Sequence, residues 1–375
     1  MNLKILTVYH TPSSLPEDKN YLPIFVGNSI ANKISKDGLL SEKEHEAFIR
    51  NTLTDDVGSD NISRLNRSLN EMTGIYWAWK NYDKLGTPDV IGLSHYRRFF
   101  IFNESLPLPN KVWLPNSSCY IFNDFSSASP YIDTAFAYDY FKEGYDCIAP
   151  KKYDARLLCP ESITKIKSCE ERFYQIAKFD PTIYQKMEKL VLQADESYSY
   201  EIEQLRKSPS HHVFNMFLMK KELFFDYCEF IFPILLKLNT QLFITTDATI
   251  NRAPGYLSEF LTSIFISHSI RCRGIKLKEL NTCFLKFPKS QEELNLKINK
   301  EFSIKDFFSL SFYVFICIFT AGKIYKSSRI EILKRKLKYS MQSGETKATW
   351  PSLMYKIFIK SNNISKKLSS LFSLE

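Results

Sequence analysis

Val90-Ile91-Gly92-Leu93-Ser94-His95-Tyr96-Arg97-Arg98 carries the strongest signal for the fold of this chain. The apolar run 90–93 predicts a short buried strand, and a histidine and two adjacent arginines follow it closely. Ligands of open α/β sheets bind at the carboxyl ends of the strands, and arginine binds phosphate oxygens two at a time while keeping its charge. The stretch therefore predicts an α/β sheet with an anion-binding group at one strand end. The alternative is a solvated strand end whose arginines pair with nearby acids.

The flanking sequence supports this interpretation. Residues 3–10 read as a first strand, and a helix is predicted before residue 86 because apolar residues recur at helical spacing at Leu69, Met72, Tyr76 and Trp79. Strand, helix and strand in succession are typical of a parallel α/β sheet. Further along the chain we predict loops at 33–60 and 101–142, strands at 146–150, 212–219 and 276–287, and helices at 221–238 and 254–268.

Composition indicates a folded protein without metal or disulfide scaffolding. Of the 375 residues, 44% are hydrophobic and 15% aromatic, as in globular domains. The eight cysteines form no Cys-x-x-Cys pair and have no regular spacing, so neither a zinc ribbon nor a disulfide framework is supported. We interpret the cysteines as small buried hydrophobic residues of a reducing compartment, and the amino-terminal stretch as a strand and not a secretory signal. Both interpretations predict a cytoplasmic protein.

The net charge of +9 is concentrated in the tail. Residues 323–375 hold twelve basic residues and three acids, which accounts for the whole excess. The formally neutral remainder argues against nucleic-acid binding. Residues 307–321 are strongly apolar, but about 15 residues fall short of the roughly 20 that a spanning helix needs.

After Pro351, apolar residues recur at helical spacing with lysines largely between them. A basic amphipathic helix is typical of a monotopic membrane anchor. We therefore expect residues 307–372 to bind the anionic inner leaflet, which would make the protein peripheral on the cytoplasmic face of the cell membrane. The alternatives are a helical appendage packed on the body and a dimer contact.

Five sequence blocks occur in the order of one known family: Asp60-Asn61-Ile62-Ser63, residues 70–81, residues 91–98, residues 215–222 and Gly255-Tyr256-Leu257-Ser258-Glu259. Over about residues 3–285 the sequence resembles the domain-of-unknown-function 4422 family, glycosyltransferases of bacterial capsule, exopolysaccharide and O-antigen synthesis. Two departures are small. Ser59 interrupts the acidic turn before Asn61, and residues 70–73 read Asn-Glu-Met-Thr where Cys-Glu-Leu-Thr is commoner.

The resemblance implies an α/β, GT-A-like fold. We expect a single Rossmann-type domain with a mixed, mostly parallel sheet at residues 1–290, followed by a C-terminal helical tail at 291–375. It also implies an enzyme that moves a sugar from a nucleotide sugar, taken here as UDP-galactose or UDP-galactofuranose, to a lipid-linked oligosaccharide. A sugar-phosphate transferase, which would release a nucleoside monophosphate, and a non-catalytic membrane-docked scaffold are the alternatives.

Such a transfer needs the leaving diphosphate to be neutralised, either by a divalent metal or by fixed cations. Many GT-A enzymes hold Mg²⁺ or Mn²⁺ with an Asp-x-Asp after a buried strand, and here His95, Arg97 and Arg98 stand near that place. His95 could be one ligand of such a metal, or the two arginines could replace it. We favour the arginines, because hard cations prefer oxygen ligands and no acidic pair adjoins His95.

Glu259 is the candidate general base, since a carboxylate in the first turn of a helix after a glycine-containing loop can face a cleft. The alternative is a first-turn acid that only stabilises the helix. The remaining candidates are donor-binding His10, Asp60, Asn61, His95, Arg97 and Arg98, and acceptor-binding Glu71, Trp77 and Asp247. The alternatives to these binding roles are that Glu71 caps its helix, that Trp77 packs in the core and that residues 60–61 form an Asx turn. We interpret His211 and His212 as structural.

Overall fold

The structure, a computed structural model, describes residues 1–33, 40–109, 118–154, 167–177, 181–242 and 252–286. The described residues within Met1–Leu106, Ser129–Ala155 and Ile166–Cys283 form one compact unit, and those at 107–128 and 284–286 belong to a second. The predicted domain boundary at 290, the tail 291–375 and the candidate Asp247 lie outside the described residues.

The first unit is built on a mixed, mostly parallel sheet, which confirms the predicted fold class. In the described residues, one hydrogen-bonded path runs in the order β11 (Leu277–Leu280), β7 (Cys147–Pro150), β10 (Phe217–Lys220), β4 (Val90–His95), β1 (Leu3–Tyr9), β2 (Tyr21–Phe25) and β3 (Leu53–Thr54). Strand β1 pairs in parallel with β2 and β4, β2 with β3, and β7 with β11. Strands β1 and β4 are almost wholly buried, as expected for near-continuous apolar runs in a parallel sheet.

Strand β10 is antiparallel to both of its neighbours, β4 and β7. Its first residue, Phe217, pairs with Leu93, so the segment before β10 lies beside the carboxyl end of β4. Gly92 permits this pairing, because a Cβ at that position would lie 2.8 Å from the carbonyl oxygen of Phe217. The antiparallel insertion therefore brings residues around 214 next to His95.

Helices pack on this sheet through one hydrophobic core that joins strand residues such as Leu6 and Ile91 to helix residues such as Leu235 and Leu261. The helices of the described residues are α1 (Glu42–Ile49), α2 (Asn66–Leu69), α3 (Met72–Lys80), α4 (Phe125–Ile132), α5 (Ala135–Lys142), α6 (Cys169–Ala177), α7 (Pro181–Ala194), α8 (Ser199–Lys207), α9 (Lys221–Leu242) and α10 (Ala253–Arg273). Helices α2, α3 and α6 to α10 contribute residues to this core, whereas the described residues of α1, α4 and α5 do not. The short strands are β5 (Arg98–Phe100), β6 (Cys119–Phe122), β8 (Tyr153–Asp154), β9 (Ser210–His211) and β12 (Thr282–Leu285). Of the helices in the described ranges, none is long and apolar enough to cross a membrane.

Several predicted elements are corrected by the structure. The loop predicted at 33–60 contains α1, a helix without buried residues, so no apolar stripe marked it. The loop predicted at 101–142 contains β6, α4 and α5. The predicted stripe at 69–79 spans two helices, because Asn70 takes φ 50° between α2 and α3. The strand predicted at 212–219 begins only at Phe217, since the preceding residues form a turn.

Candidate functional site

His95 ends β4 and is held by a backbone carbonyl from the neighbouring segment. Its Nε2 lies 2.5 Å from the carbonyl oxygen of Phe214. Because a carbonyl can only accept, Nε2 carries the proton and Nδ1 keeps its lone pair. Burial, and then the positive charge of Arg98, lower the pKa of His95 to about 4. The ring is therefore neutral at physiological pH, and it serves as a donor to the backbone.

Phe214 and Asn215 form a turn in which two successive residues other than glycine take left-handed backbone, with φ of 75° and 52°. This region is unfavourable for most L-residues and persists where surrounding contacts impose it. Here the contacts are visible. The carbonyl of Phe214 accepts from His95, and its N–H donates to Oε1 of Glu259 at 3.2 Å.

Glu259, in α10, is occupied on both of its carboxylate oxygens. Oε1 accepts from Phe214, while Oε2 lies 3.4 Å from Nε2 of His211 and 3.8 Å from Nη1 of Arg172. Burial alone would raise the pKa of Glu259, but the hydrogen bond from His211 and the charge of Arg172 outweigh it and leave the pKa below its usual value. Glu259 is therefore ionised at neutral pH and has several fixed partners.

Glu71 precedes α3 and has a different environment. Its Oε1 accepts from Nδ2 of Asn215 at 2.5 Å, and the same Nδ2 lies 2.8 Å from Oγ of Ser258. Burial raises the pKa of Glu71 to about 7; the negative charge of Glu259 adds to this, while Asn215 and Arg98 oppose it. The two carboxylates thus interact, and their pKa values are displaced in opposite directions. Such separation is typical of acid–base sites.

A glycine allows the helix bearing Glu259 to approach the segment bearing Glu71. A Cβ at Gly255 would lie 2.9 Å from the carbonyl oxygen of Ser68, at the end of α2. Any side chain at position 255 would push α10 away from the α2–α3 junction. Gly255 belongs to one of the five sequence blocks, and the close helix contact gives a physical reason for a glycine there.

The two arginines lie on different aromatic rings. The guanidinium carbon of Arg98 is 4.7 Å from the centre of the Phe214 ring, and that of Arg97 is 4.8 Å from the Tyr96 ring. Tyr96 also contacts the His10 ring edge-on at 5.2 Å between ring centres. Arg98 acts electrostatically on Glu71 and on His95, so it belongs to the carboxylate cluster. Arg97 lies on the side of His10, at the end of β1.

Three predicted residues lie apart from this cluster. Asp60 accepts from the Tyr76 hydroxyl at 2.7 Å, and Asn61 donates to the Gly58 carbonyl at 2.7 Å. These contacts agree with the alternative in which the two residues stabilise a turn. Trp77 is 2% exposed and donates to the Val57 carbonyl, so its buried ring has the packing role and presents no face to an acceptor.

Residues that sequence reasoning did not assign complete the cluster. Asn215 and Ser258 lie within two of the five sequence blocks, so a signal was present there. Arg172 carried no such signal, because a single arginine on a charged helix has many structural uses. His211, which the sequence analysis interprets as structural, lies against Glu259 in the cluster. His211 is neutral, since burial and the charge of Arg172 lower its pKa to about 3.

The metal alternative finds little support in the donor set. The described residues contain no group of three or more His, Cys, Asp or Glu side chains that could hold a metal ion. His95 donates Nε2–H to the Phe214 carbonyl and keeps the lone pair of Nδ1, so it could be one ligand, but no such group surrounds it among the described residues. The side chains present at this strand end therefore fit an anion better than a hard cation.

Comparisons with known proteins agree with this architecture. A family model described as domain of unknown function (DUF4422) matches residues 4–270. Among solved structures, the apo structure of WbbM, a bifunctional glycosyltransferase, is similar to this chain with a TM-score of 0.61 and 26% sequence identity. The similarity covers 76% of this chain and 46% of the WbbM chain, so this chain spans under half of that protein. No curated protein matches.

Proposed function

The chain belongs to the DUF4422 family, and we propose that it is a glycosyltransferase that extends a surface polysaccharide such as an O-antigen or capsule. The observation that carries the proposal is the cluster itself: two interacting carboxylates and an arginine meet at the carboxyl end of β4. Sugar transfer from a nucleotide sugar needs cations for the leaving diphosphate and a carboxylate near the acceptor hydroxyl. The similarity to WbbM supports the same reaction class.

The donor is assigned to the edge where β1 and β4 end. Arg97 and Arg98 would neutralise the diphosphate, and the exposed His10 ring beside Tyr96 would contact the nucleoside. The acceptor, a lipid-linked oligosaccharide, is assigned to the Glu71 side of the cluster. UDP-galactose or UDP-galactofuranose remains our proposed donor. Contacts of Asp60 and Asn61 with the donor, and of Asp247 with the acceptor, remain predictions. We assign no catalytic role to Mn²⁺ or Mg²⁺, because the described side chains at this strand end do not fit a hard cation.

Nucleotide binding is the first test of this proposal. Thermal unfolding of the full chain is followed with UDP, GDP, CMP and dTDP, each with Mn²⁺ and with EDTA. We expect UDP to raise the Tm and to do so in EDTA, because fixed arginines need no metal. A ligand at 100-fold over its Kd adds about 2.7 kcal/mol, which corresponds to several degrees.

Inorganic phosphate at equal ionic strength controls for weak anion binding. Absence of a shift with every nucleotide would contradict the proposal. In a reaction with labelled UDP-sugar, release of UDP is the expected result, whereas release of UMP would favour a sugar-phosphate transferase.

Membrane association through residues 307–372 is a second proposal, drawn from the sequence. Each lysine or arginine near an anionic surface contributes about 1 kcal/mol. We expect the full chain to float with vesicles containing anionic lipid and not with zwitterionic vesicles. Reversing the charges of Lys334, Arg335, Lys336 and Lys338 to glutamate should weaken binding at least about tenfold.

The matched control reverses four exposed lysines of the body, namely Lys19, Lys43, Lys142 and Lys189. If both sets weaken flotation equally, the tail is not the membrane-binding segment. If neither set does, the anchor proposal fails.

A further inference from the structure

The two carboxylates of the cluster differ in how many partners they have. Glu259 is bound by Phe214 and His211 and lies near Arg172, so both of its oxygens are engaged. Glu71 accepts from the Asn215 side chain and from its own backbone N–H, and so has fewer partners than Glu259. A proton acceptor needs an oxygen that a substrate can reach, and Glu71 has the less occupied carboxylate.

We propose that Glu71 takes the proton of the acceptor hydroxyl, and that Glu259 and His95 are positioning residues that hold the Phe214–Asn215 turn. This inference rests on the proposed function and reassigns the base that the sequence suggested. Its basis is the set of contacts around the backbone of one residue, Phe214, which Glu259 holds at the N–H and His95 at the carbonyl.

The turn fixes the direction of the Asn215 amide. Ser258 donates its hydroxyl hydrogen to the Gly255 carbonyl at 2.8 Å, so its oxygen must accept from Nδ2 of Asn215. Nδ2 therefore faces Ser258 and Glu71 together. The opposite end of the amide, Oδ1, is buried and has no hydrogen-bond partner among the described residues. Such an acceptor would be satisfied by a substrate hydroxyl or by a water.

The charges around Glu71 suit it to exchange a proton near neutral pH. Glu259 on α10 and Arg98 on β5 act on it with opposite signs, and Tyr227 on α9 is neutral because burial raises its pKa. With a pKa raised to about 7, Glu71 is partly ionised at physiological pH and is a stronger base than an ordinary carboxylate. Glu259, whose pKa is lowered, is the weaker base.

The step balances as a single displacement. The acceptor O–H proton passes to Glu71, and the oxygen electron pair forms the bond to the anomeric carbon of the donor. The bond from that carbon to the diphosphate breaks, and its electron pair leaves with the diphosphate. Arg97 and Arg98 neutralise the negative charge of the diphosphate. A single displacement inverts the anomeric configuration, so NMR of the product should show the anomer opposite to that of the donor.

The test compares three glutamine variants in the full chain: Glu71→Gln, Glu259→Gln and, as a matched control on the exposed start of α9, Glu222→Gln. Steady-state transfer is measured from pH 5 to 9. A base must be ionised, so wild-type kcat should rise with pH through about 7 and then level off. Glu71→Gln should lose kcat at least about 100-fold, keep donor KM within a few-fold, and lose the rise with pH.

Glu259→Gln should lower kcat, because the Phe214–Asn215 turn loses a contact, and should keep a rise of kcat with pH. That rise should move to lower pH, because the negative charge of Glu259, which raises the pKa of Glu71, is gone. This retained rise separates positioning from proton transfer. The control variant should match the wild type. The inference is overturned if Glu71→Gln keeps its kcat, if Glu259→Gln is the variant that loses the pH dependence, or if the anomeric configuration is retained.

A measurement independent of activity is a carboxyl titration by ¹³C NMR with labelled glutamate. One carboxyl should titrate near pH 7 in the wild type and at lower pH in Glu259→Gln, and this titration should be absent from Glu71→Gln. If the chain binds no nucleotide and transfers no sugar, the proposed function is refuted. The proposed role of Glu71 is then refuted as well, even if the titration is observed. Transfer without the titrating carboxyl refutes the inference alone.

Discussion

Replacement of Asp55 by alanine should lower the free energy of unfolding by roughly 3–5 kcal/mol, the largest stability effect we expect from one polar side chain. Asp55 is fully buried. Its carboxylate accepts from the N–H of Gly27 at 2.8 Å and of Asn28 at 3.2 Å, and from the hydroxyls of Ser63 at 2.5 Å and Thr73 at 2.6 Å. Removing it leaves buried donors unsatisfied, and each such group costs about 1–3 kcal/mol.

Chemical denaturation of the full chain measures this effect. The matched control is Asp139→Ala, because Asp139 is an exposed carboxylate whose partner is Lys142 within the same helix. Surface pairs of this kind contribute about 0–1 kcal/mol. Equal losses in the two variants would contradict a special role for Asp55, whereas a loss confined to Asp55→Ala supports it.

Asp55 also illustrates a limit of sequence reasoning. The sequence shows an acidic turn before Asn61 and favours Asp60 and Asn61 as its functional residues, but Asp60 bonds Tyr76 and Asn61 bonds Gly58. The buried member is Asp55, and its donors come from the end of β2 and from α3. A run of carboxylates and small polar residues does not indicate which carboxylate is buried, because that depends on contacts distant along the chain.

Elements with strong periodicity were predicted well. Strands β1 and β4 are predicted because they are apolar runs buried on both faces. The helices predicted at 221–238 and 254–268 are confirmed as α9 and α10, which end later, at Leu242 and Arg273. Helix α1 was missed because it buries nothing. The Phe214–Asn215 turn was read as a strand, because its apolar composition resembles one and its backbone is imposed by Glu259 and His95.

The sequence indicates several residues of the candidate site but not how they are arranged. Glu71, His95, Arg98 and Glu259 were all named, and the structure brings them together. Their division of roles could not be read from the sequence, because it depends on Asn215, which bonds Glu71 from 144 residues away. The hydrogen bonds that distinguish the two carboxylates exist only after β10 inserts antiparallel beside β4.

Replacement of Arg98 by methionine should lower kcat/KM for the nucleotide sugar by about 10²–10³, as expected for loss of one charged group that stabilises a developing anion. Methionine keeps much of the apolar contact with the Phe214 ring, which lies 4.7 Å from the guanidinium, so folding should be preserved. Arg50→Met, at an exposed arginine after α1, is the matched control and should leave both kcat and KM unchanged. Thermal unfolding of each variant verifies that the fold is intact.

The same substitution carries a second expected result that a purely structural arginine would not produce. The positive charge of Arg98 lowers the pKa of Glu71, so its removal should raise that pKa further above 7. Because the base must be ionised, the rise of kcat with pH should move to higher pH in Arg98→Met, and the remaining activity should recover partly in alkaline buffer. A loss of kcat/KM without any movement of the pH profile would assign Arg98 to the diphosphate alone. An unchanged kcat/KM together with an unmoved profile would place the reaction elsewhere on the molecule.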